Sequence, residues 1–132
     1  MSIRRILIAV DAQPVSVRAA ELGSELGRSL NAEVALINVN DASVEFGRAE
    51  QESKRLLNDF CDRLSLPAST LQFVQAGQPA VTIAKTAKEW SADLIVIASH
   101  GRTGIPRAVL GSVAEGVMRN APCPVLIMRP QA

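Results

Sequence analysis

The chain has 132 residues, of which 48% are hydrophobic and 20% are charged, and its formal net charge at pH 7 is +1. This length and hydrophobic content predict one globular domain over residues 1–132, and the near-neutral charge argues against a nucleic-acid surface or a strongly acidic partner. Aromatic residues make up 3% and tyrosine is absent, which also argues against base-stacking platforms for single-stranded nucleic acid.

The sequence also indicates the cellular compartment in which the protein is expected. Every apolar run is shorter than a membrane span, and the first residues, MSIRR, lack the apolar region and cleavage site of a secretion signal. Cys61 and Cys123 match no metal-ligand spacing. We therefore expect free thiols in a reducing cytoplasm, with a disulfide between them as the alternative.

The first half of the chain alternates predicted strands and helices. A strand over residues 6–10 ends at Asp11, and Pro14 suits the first turn of a helix. The apolar stripe of this helix is predicted to be Val15, Ala19, Leu22, Leu26 and Leu30. A second strand over 33–39 leads through a polar connection at 40–43 to a helix from about Glu45. The buried face of that second helix is predicted to comprise Ala49, Leu56, Phe60 and Leu64.

The second half continues the alternation. A strand over 71–74 precedes a helix that begins at Pro79, whose buried stripe is predicted to be Ala80, Ile83, Ala84, Ala87 and Trp90. The run over 94–98 is wholly apolar, which is typical of a strand buried on both faces of a parallel sheet. A helix over 113–120 and a strand over 125–128 follow. The pattern predicts a doubly wound α/β fold, an open parallel five-stranded sheet with helices on both faces.

A glycine-rich loop follows the central strand. It begins with the sequence SHGRTG at residues 99–104 and reaches Gly111-Ser112. Ser112 and Glu115 have the spacing of a capping box, which predicts a helix starting just beyond Ser112. A strand, a glycine loop and a helix N-terminus in this order build an anion site from main-chain N–H groups.

These residues resemble the nucleotide-binding signature of the universal stress protein (UspA-like) family, which reads Gly-x-x-Gly, nine residues, then Gly-Ser or Gly-Thr. Gly101 is followed here by nine residues and Gly111-Ser112, while Ala98 stands in place of the first glycine. The stretches RRILIAVD at 4–11, INVND at 37–41 and APCPVLI at 121–127 also agree with the family. The resemblance covers nearly the whole chain.

The resemblance implies a Rossmann-like, adenine nucleotide α-hydrolase-like fold. It implies binding of ATP, or of AMP or ADP, with Mg²⁺ carried by the phosphates, and a role in stress sensing or signalling. It places the adenine against Ala9, Asp11 and Val39 and the phosphates at the loop. The predicted nucleotide-binding set is Ala9, Val10, Asp11, Val39, Ala98, Ser99, His100, Gly101, Arg102, Gly111, Ser112 and Val113.

Each of these residues also has a purely structural interpretation. The glycines could simply permit a tight loop, and Asp11 could cap the next helix or accept from loop N–H groups. Arg102 could reach phosphate or stay solvated. His100 is the only histidine, but the sequence supplies neither an orienting partner nor a nucleophile for a general base. We therefore predict that His100 lines the site without a catalytic role.

The alternatives for function come from different classes. The sequence has no phosphate-transfer loop with Gly-Lys-Ser or Gly-Lys-Thr, and no Gly-x-Gly-x-x-Gly follows the first strand. We therefore expect no catalytic activity beyond slow ATP hydrolysis. A dimer of the same fold that binds no nucleotide and acts through protein contacts is the alternative.

The last strand predicts a partner for this chain. It is an apolar strand at the chain end, and its residues are Val125, Leu126, Ile127 and Met128. An apolar edge strand invites pairing with another chain, and the resemblance implies a homodimer through it. Burial of the strand within its own monomer is the alternative.

Overall fold

The computed structural model describes residues 2–40, 46–100 and 110–130. Gly101, Arg102 and the rest of the glycine loop through residue 109 lie outside the described residues, as do residues 41–45. The strands are β1 (Arg5–Ala9), β2 (Glu33–Asn40), β3 (Leu71–Ala76), β4 (Leu94–Ala98) and β5 (Val125–Met128). The helices are α1 (Pro14–Leu30), α2 (Phe46–Arg63), α3 (Pro79–Trp90) and α4 (Ser112–Asn120).

The strands form one parallel sheet in the order β3-β2-β1-β4-β5. The chain moves outward from β1 through β2 to β3, and then crosses to β4 and β5 on the other side of β1. The direction of strand addition therefore reverses between β1 and β4, which is where open α/β sheets bind ligands at the carboxyl ends of their strands. The predicted five-stranded α/β architecture is confirmed.

Alternation along the strands divides the core between the two faces of the sheet. Ile6 and Ile8 pack with residues of α1 and α2, whereas Leu7 and Ala9 pack with residues of α3 and α4. All five residues of β4 are buried, as expected for a strand covered on both faces. Helices on both faces follow from right-handed crossovers in the two opposite directions.

The buried face of α1 differs from the predicted stripe. Leu30 is 46% exposed, and Leu22 and Leu26 are only partly buried. A Cβ added at Gly23 would lie 2.6 Å from Cδ1 of Ile8, so the helix approaches the sheet too closely for a larger side chain there. The residues that face the sheet are Ser16, Ala19, Ala20, Gly23, Ser24 and Gly27.

The structure also tests the expectations about the two cysteines and about membrane-spanning helices. Cys61 and Cys123 are both free thiols, so the disulfide considered as an alternative is not formed. In the part of the chain that the structure describes, no helix combines the length and the apolar character needed to cross a membrane.

Candidate functional site

A cleft opens at the carboxyl ends of β1, β2 and β4, beside the first turns of α3 and α4. Including its open mouth, the cleft encloses about 500 Å³. Its lining includes seven of the predicted site residues, which are Ala9, Val10, Asp11, Val39, Ala98, His100 and Val113. The other lining residues are Ser16, Ile37, Asn38, Pro79, Ile83 and Ile97.

The walls of this cleft are largely apolar. Ile37 and Ile97 are buried members of the core on the α3 and α4 face, and Val39 and Val113 are partly buried against that core. Val39 lies near the end of β2, and Val113 lies in the first turn of α4. Two β-branched side chains, which have few χ1 rotamers, therefore flank the opening.

Among the described residues that line the cleft, Asp11 carries the carboxylate, and its two oxygens have different partners. Oδ1 accepts from the N–H of Gln13 at 2.9 Å and from the hydroxyl of Ser16 at 2.9 Å. The Asp11 N–H donates in turn to Ser16 Oγ at 3.0 Å. The N-cap residue of α1 is Gln13, so Asp11 organises the loop before the helix, one of its two structural interpretations, and leaves Oδ2 to face the cleft.

His100 supplies the partner of that second oxygen. Its Nε2 lies 2.6 Å from Asp11 Oδ2, although 89 positions separate the two residues in sequence. The expectation that His100 has no orienting partner is therefore wrong. The Ser16 hydroxyl, however, bonds to the carboxylate and not to the imidazole, so the three residues do not form the nucleophile–base–orienter arrangement of a hydrolase.

The start of α4 also differs from the predicted capping box. The helix begins at Ser112 itself, and its N-cap is Gly111, which has no side chain with which to cap it. The Glu115 side chain instead contacts Arg119 at 2.8 Å. Gly111 replaces the expected serine cap because it accommodates a close approach, with an added Cβ lying 3.2 Å from the His100 backbone.

The two segments that flank the glycine loop are joined directly. The Gly111 N–H donates to the hydroxyl of Ser99 at 2.9 Å, and Ser99 is buried. The Gly111 N–H, predicted as a phosphate donor, is thus engaged by Ser99. Ser112 and Val113 follow as the first two residues of α4, whose N–H groups have no acceptor within the helix.

A polar network that sequence reasoning missed holds the other side of the cleft. Asn38 Nδ2 donates to the carbonyl of Val10 at 2.8 Å, and Ser53 Oγ donates to Asn38 Oδ1 at 2.7 Å. Asn40 Nδ2 donates to Ser53 Oγ at 3.1 Å. The network ties the residue before Asp11 to β2 and α2. Two asparagines at alternate positions of an apolar strand were a usable signal, whereas nothing in the sequence singled out Ser53.

A second cleft lies at the opposite end of the sheet, where β2 and β3 begin. Its lining includes Gly27, Asn31, Glu33, Leu66 and Thr70, and its space including the mouth is about 750 Å³. Although it is larger, it lies at the amino ends of the strands, away from the reversal of strand order. Within the described ranges, no group of three or more His, Cys, Asp or Glu side chains could hold a metal ion.

Sequence comparison finds relatives along nearly the full length of the chain. The model of the Universal stress protein family matches residues 2–129. A universal stress protein of Methanocaldococcus jannaschii is 33% identical, with 96% of this chain and 82% of that protein covered. Universal stress protein A homolog 2 of Coxiella burnetii is 31% identical, with 96% and 94% covered.

Solved structures share the fold. The universal stress protein UspA from Lactobacillus plantarum superposes with a TM-score of 0.82 at 22% identity, over 98% of this chain and 99% of that one. A universal stress protein in complex with cAMP has a TM-score of 0.75 at 20% identity, over 96% and 97%. One from Archaeoglobus fulgidus in complex with dAMP has a TM-score of 0.73 at 22% identity, over 97% and 99%. The parallel sheet, the cleft at its switch point and the match over residues 2–129 together show that the chain belongs to the universal stress protein family.

Proposed function

We propose that this protein binds an adenine nucleotide in the cleft at the carboxyl ends of β1, β2 and β4 and uses its occupancy for sensing or signalling in the stress response. The observation that carries the proposal is one carboxylate, Asp11, set among apolar walls beside the N-terminus of a helix. An apolar planar base, a donor for the carboxylate and an anionic tail are three parts of one ligand that fit these three features.

The base side rests on Asp11 and Val39. A carboxylate accepts hydrogen bonds only, so it favours a base that presents an exocyclic amino group, as adenine does. Val39 offers an apolar surface for the ring. The side chain of Ala9 is a single methyl group, so it takes up little of the cleft. Ala98, in place of the first signature glycine, is buried and lines the same cleft, and its methyl group leaves the cleft open.

The phosphate side rests on the start of α4. The N–H groups of Ser112 and Val113 and the positive end of the helix dipole favour an anion at this point. Gly101 and Arg102 belong to the predicted phosphate set by resemblance. ATP would bring Mg²⁺ on its own phosphates, so the proposal needs no metal ligand from the chain.

Two structural relatives support an adenine ligand. One universal stress protein of this fold was solved with cAMP and another with dAMP. Both ligands carry an adenine base and one phosphate. ATP is the ligand that we infer from the long glycine loop, and AMP or ADP would use the same base contacts.

We infer no rapid catalysis at this site. The imidazole of His100 faces a carboxylate, and the neighbouring hydroxyl of Ser16 is bonded to that carboxylate. Hydrolysis of ATP should therefore be slow, and turnover above about one per second would overturn this part of the proposal. The two free thiols suit a reducing compartment, and cytoplasmic location stays a prediction.

We also infer a homodimer through β5. This strand pairs with β4 on one side and ends the sheet on the other, and Leu126 on it is 36% exposed. A parallel edge strand with apolar side chains and free backbone groups can pair with its copy about a two-fold axis.

The test of nucleotide binding has two arms. Purified protein is denatured in acid, and the supernatant is run on an anion-exchange column to identify any co-purified nucleotide. Stripped protein is then titrated calorimetrically with ATP and Mg²⁺ and with AMP. We expect one adenine nucleotide per chain. No adenine nucleotide in the supernatant, together with no heat of binding, would refute the proposal.

One observation favours the alternative of a dimer that binds no nucleotide. Two groups that a nucleotide would use, Asp11 Oδ2 and the Gly111 N–H, already have partners within the chain, His100 and Ser99. If both arms of the test are negative while the protein sediments as a dimer, this alternative replaces the proposal.

A further inference from the structure

The His100 ring lies at the Asp11 oxygen on which adenine recognition depends, inside the cleft through which a base would approach that oxygen. Asp11 Oδ1 is saturated by the Gln13 N–H and the Ser16 hydroxyl, so Oδ2 is the oxygen that can accept from a ligand. The His100 Nε2 lies 2.6 Å from it. Both side chains line the cleft and are partly exposed, at 36% for His100 and 44% for Asp11.

We propose that His100 is a specificity-determining residue whose ring donates to Asp11 Oδ2 in the empty cleft and must be exchanged for the amino group of the entering base. The inference rests on the proposed function and deepens it, because it names the group on the chain that competes with the ligand. It assigns a role to His100 that the glycine signature does not supply.

Entry of an amino-bearing base exchanges one hydrogen-bond donor at Asp11 for another. A base with an amino group replaces the imidazole N–H on the same oxygen, so the carboxylate is never left without a partner. A base without an amino group has nothing to offer Oδ2, and the Asp11–His100 bond stays the better state for the carboxylate. The pair therefore lowers the affinity for amino-bearing bases while it keeps the empty carboxylate satisfied.

The geometry makes the exchange local. Asp11 is held from the other side by Ser16 and Gln13, so its position does not depend on His100. His100 follows the last residues of β4 and is the last residue described before the glycine loop. A rotation of the imidazole side chain would free Oδ2 without moving the β1–α1 loop.

The test compares two ligands that differ only in the amino group. AMP and purine riboside 5′-monophosphate are titrated into stripped wild-type protein, His100→Ala and His100→Gln. In His100→Ala we expect the ratio of AMP affinity to purine riboside monophosphate affinity to rise by about tenfold, the lower end for a hydrogen bond to a charged group because the pair is partly exposed. His100→Gln keeps an N–H donor and should bring the ratio back toward the wild-type value.

The outcomes separate this inference from the proposed function. If wild type binds AMP and the ratio in His100→Ala is unchanged or lower, the exchange is refuted while nucleotide binding stands. Equal gains for both ligands would show that the ring only fills space, which also refutes the exchange. If neither wild type nor the variants bind AMP, the proposed function fails and this inference fails with it.

A second measurement needs no ligand. The ¹⁵N chemical shifts of the His100 ring distinguish a nitrogen that carries a proton from one that does not. We expect Nε2 to carry a proton in the empty protein and to lose this signature in Asp11→Asn, because an amide nitrogen can then face the ring. A ring with its proton only on Nδ1 would overturn the proposed contact.

Discussion

Asp11 combines a structural role and a binding role in the two oxygens of one carboxylate. Replacement by alanine removes the acceptor of the Gln13 N–H and the Ser16 hydroxyl. We expect Asp11→Ala to lower the free energy of unfolding by about 1–3 kcal/mol. In the His100→Ala background, where no ring competes for Oδ2, the same change should weaken AMP binding by about tenfold, on the order of one hydrogen bond to a charged group. Urea denaturation and calorimetric titration measure the two effects.

Asp11→Asn is the matched control for that prediction. The asparagine carbonyl can still accept from Gln13 and Ser16, while its amide group faces the cleft as a donor. The variant should keep most of the stability and still lose the binding of AMP. Full binding by Asp11→Asn would show that the carboxylate does not contact the base.

The Cys123 thiol gives a prediction about reactivity at neutral pH. Partial burial raises the pKa of the Cys123 thiol above its ordinary value, and the negative charge of Asp93 raises it further. The thiolate is the reactive form, so at neutral pH we expect slower alkylation of Cys123 by iodoacetamide in folded protein than in urea-unfolded protein. Peptide mapping by mass spectrometry separates Cys123 from Cys61. Equal rates in the two states would contradict the raised pKa.

At the scale of elements, α1 shows how near a helix can lie to the sheet. A Cβ on Gly23 would lie 2.6 Å from Cδ1 and 2.8 Å from Cγ1 of Ile8, and Ile8 is fully buried. We expect Gly23→Ala to lower the free energy of unfolding by about 1–2 kcal/mol, because the cost of overpacking exceeds the gain in helix propensity. Urea denaturation of purified variants measures the change.

Gly47→Ala is the matched control in another helix. An added Cβ at Gly47 in α2 would meet no atom of the described residues within 4 Å. We therefore expect helix propensity to dominate and the stability to stay equal or rise by up to about 1 kcal/mol. If Gly23→Ala were as stable as Gly47→Ala, the close packing of α1 on the sheet would be wrong.

Hydrophobic pattern predicted the elements well because it reports burial directly. β4 and β5 have the predicted bounds, and β1 begins and ends one residue earlier than expected. The predicted stripe of α1 was right at Ala19, which is fully buried, and wrong at Leu30, which is exposed, because small residues face the sheet and a search for large apolar residues does not detect them. The predicted start of α4 was one residue too late because the cap is Gly111 and not Ser112.

Part of the site could be predicted because the topology of a parallel sheet fixes where its strands end. Parallel strands bring their carboxyl ends to one edge, so Asp11, Val39 and the loop over 99–112 could be placed together from the strand pattern, and Asp11, Val39 and His100 do line one cleft. The bond between Asp11 and His100 joins residues 89 positions apart, and the bond between Asn38 and Ser53 depends on how α2 lies on β2. Such contacts are set by side-chain packing, which a sequence pattern does not specify.

At the scale of the whole molecule, the two edges of the sheet allow a matched test of the homodimer. Leu126 lies on β5 and is 36% exposed, and Leu71 lies on β3 at the opposite edge and is 42% exposed. Lysine on an edge strand opposes pairing with another chain. We expect Leu126→Lys to shift sedimentation from dimer to monomer and Leu71→Lys to leave the dimer intact. A wild-type monomer, or a dimer in both variants, would contradict assembly through β5.

The binding of an adenine nucleotide at the switch point is tested most directly by titrating AMP into ¹⁵N-labelled, nucleotide-stripped protein and mapping the amide shifts. We expect the shifts to concentrate at residues 9–11, Val39, 98–100 and 112–113, with Gly27, Asn31 and Thr70 around the second cleft unmoved. Shifts confined to the second cleft, or no shifts at saturating AMP, would contradict nucleotide binding at this site.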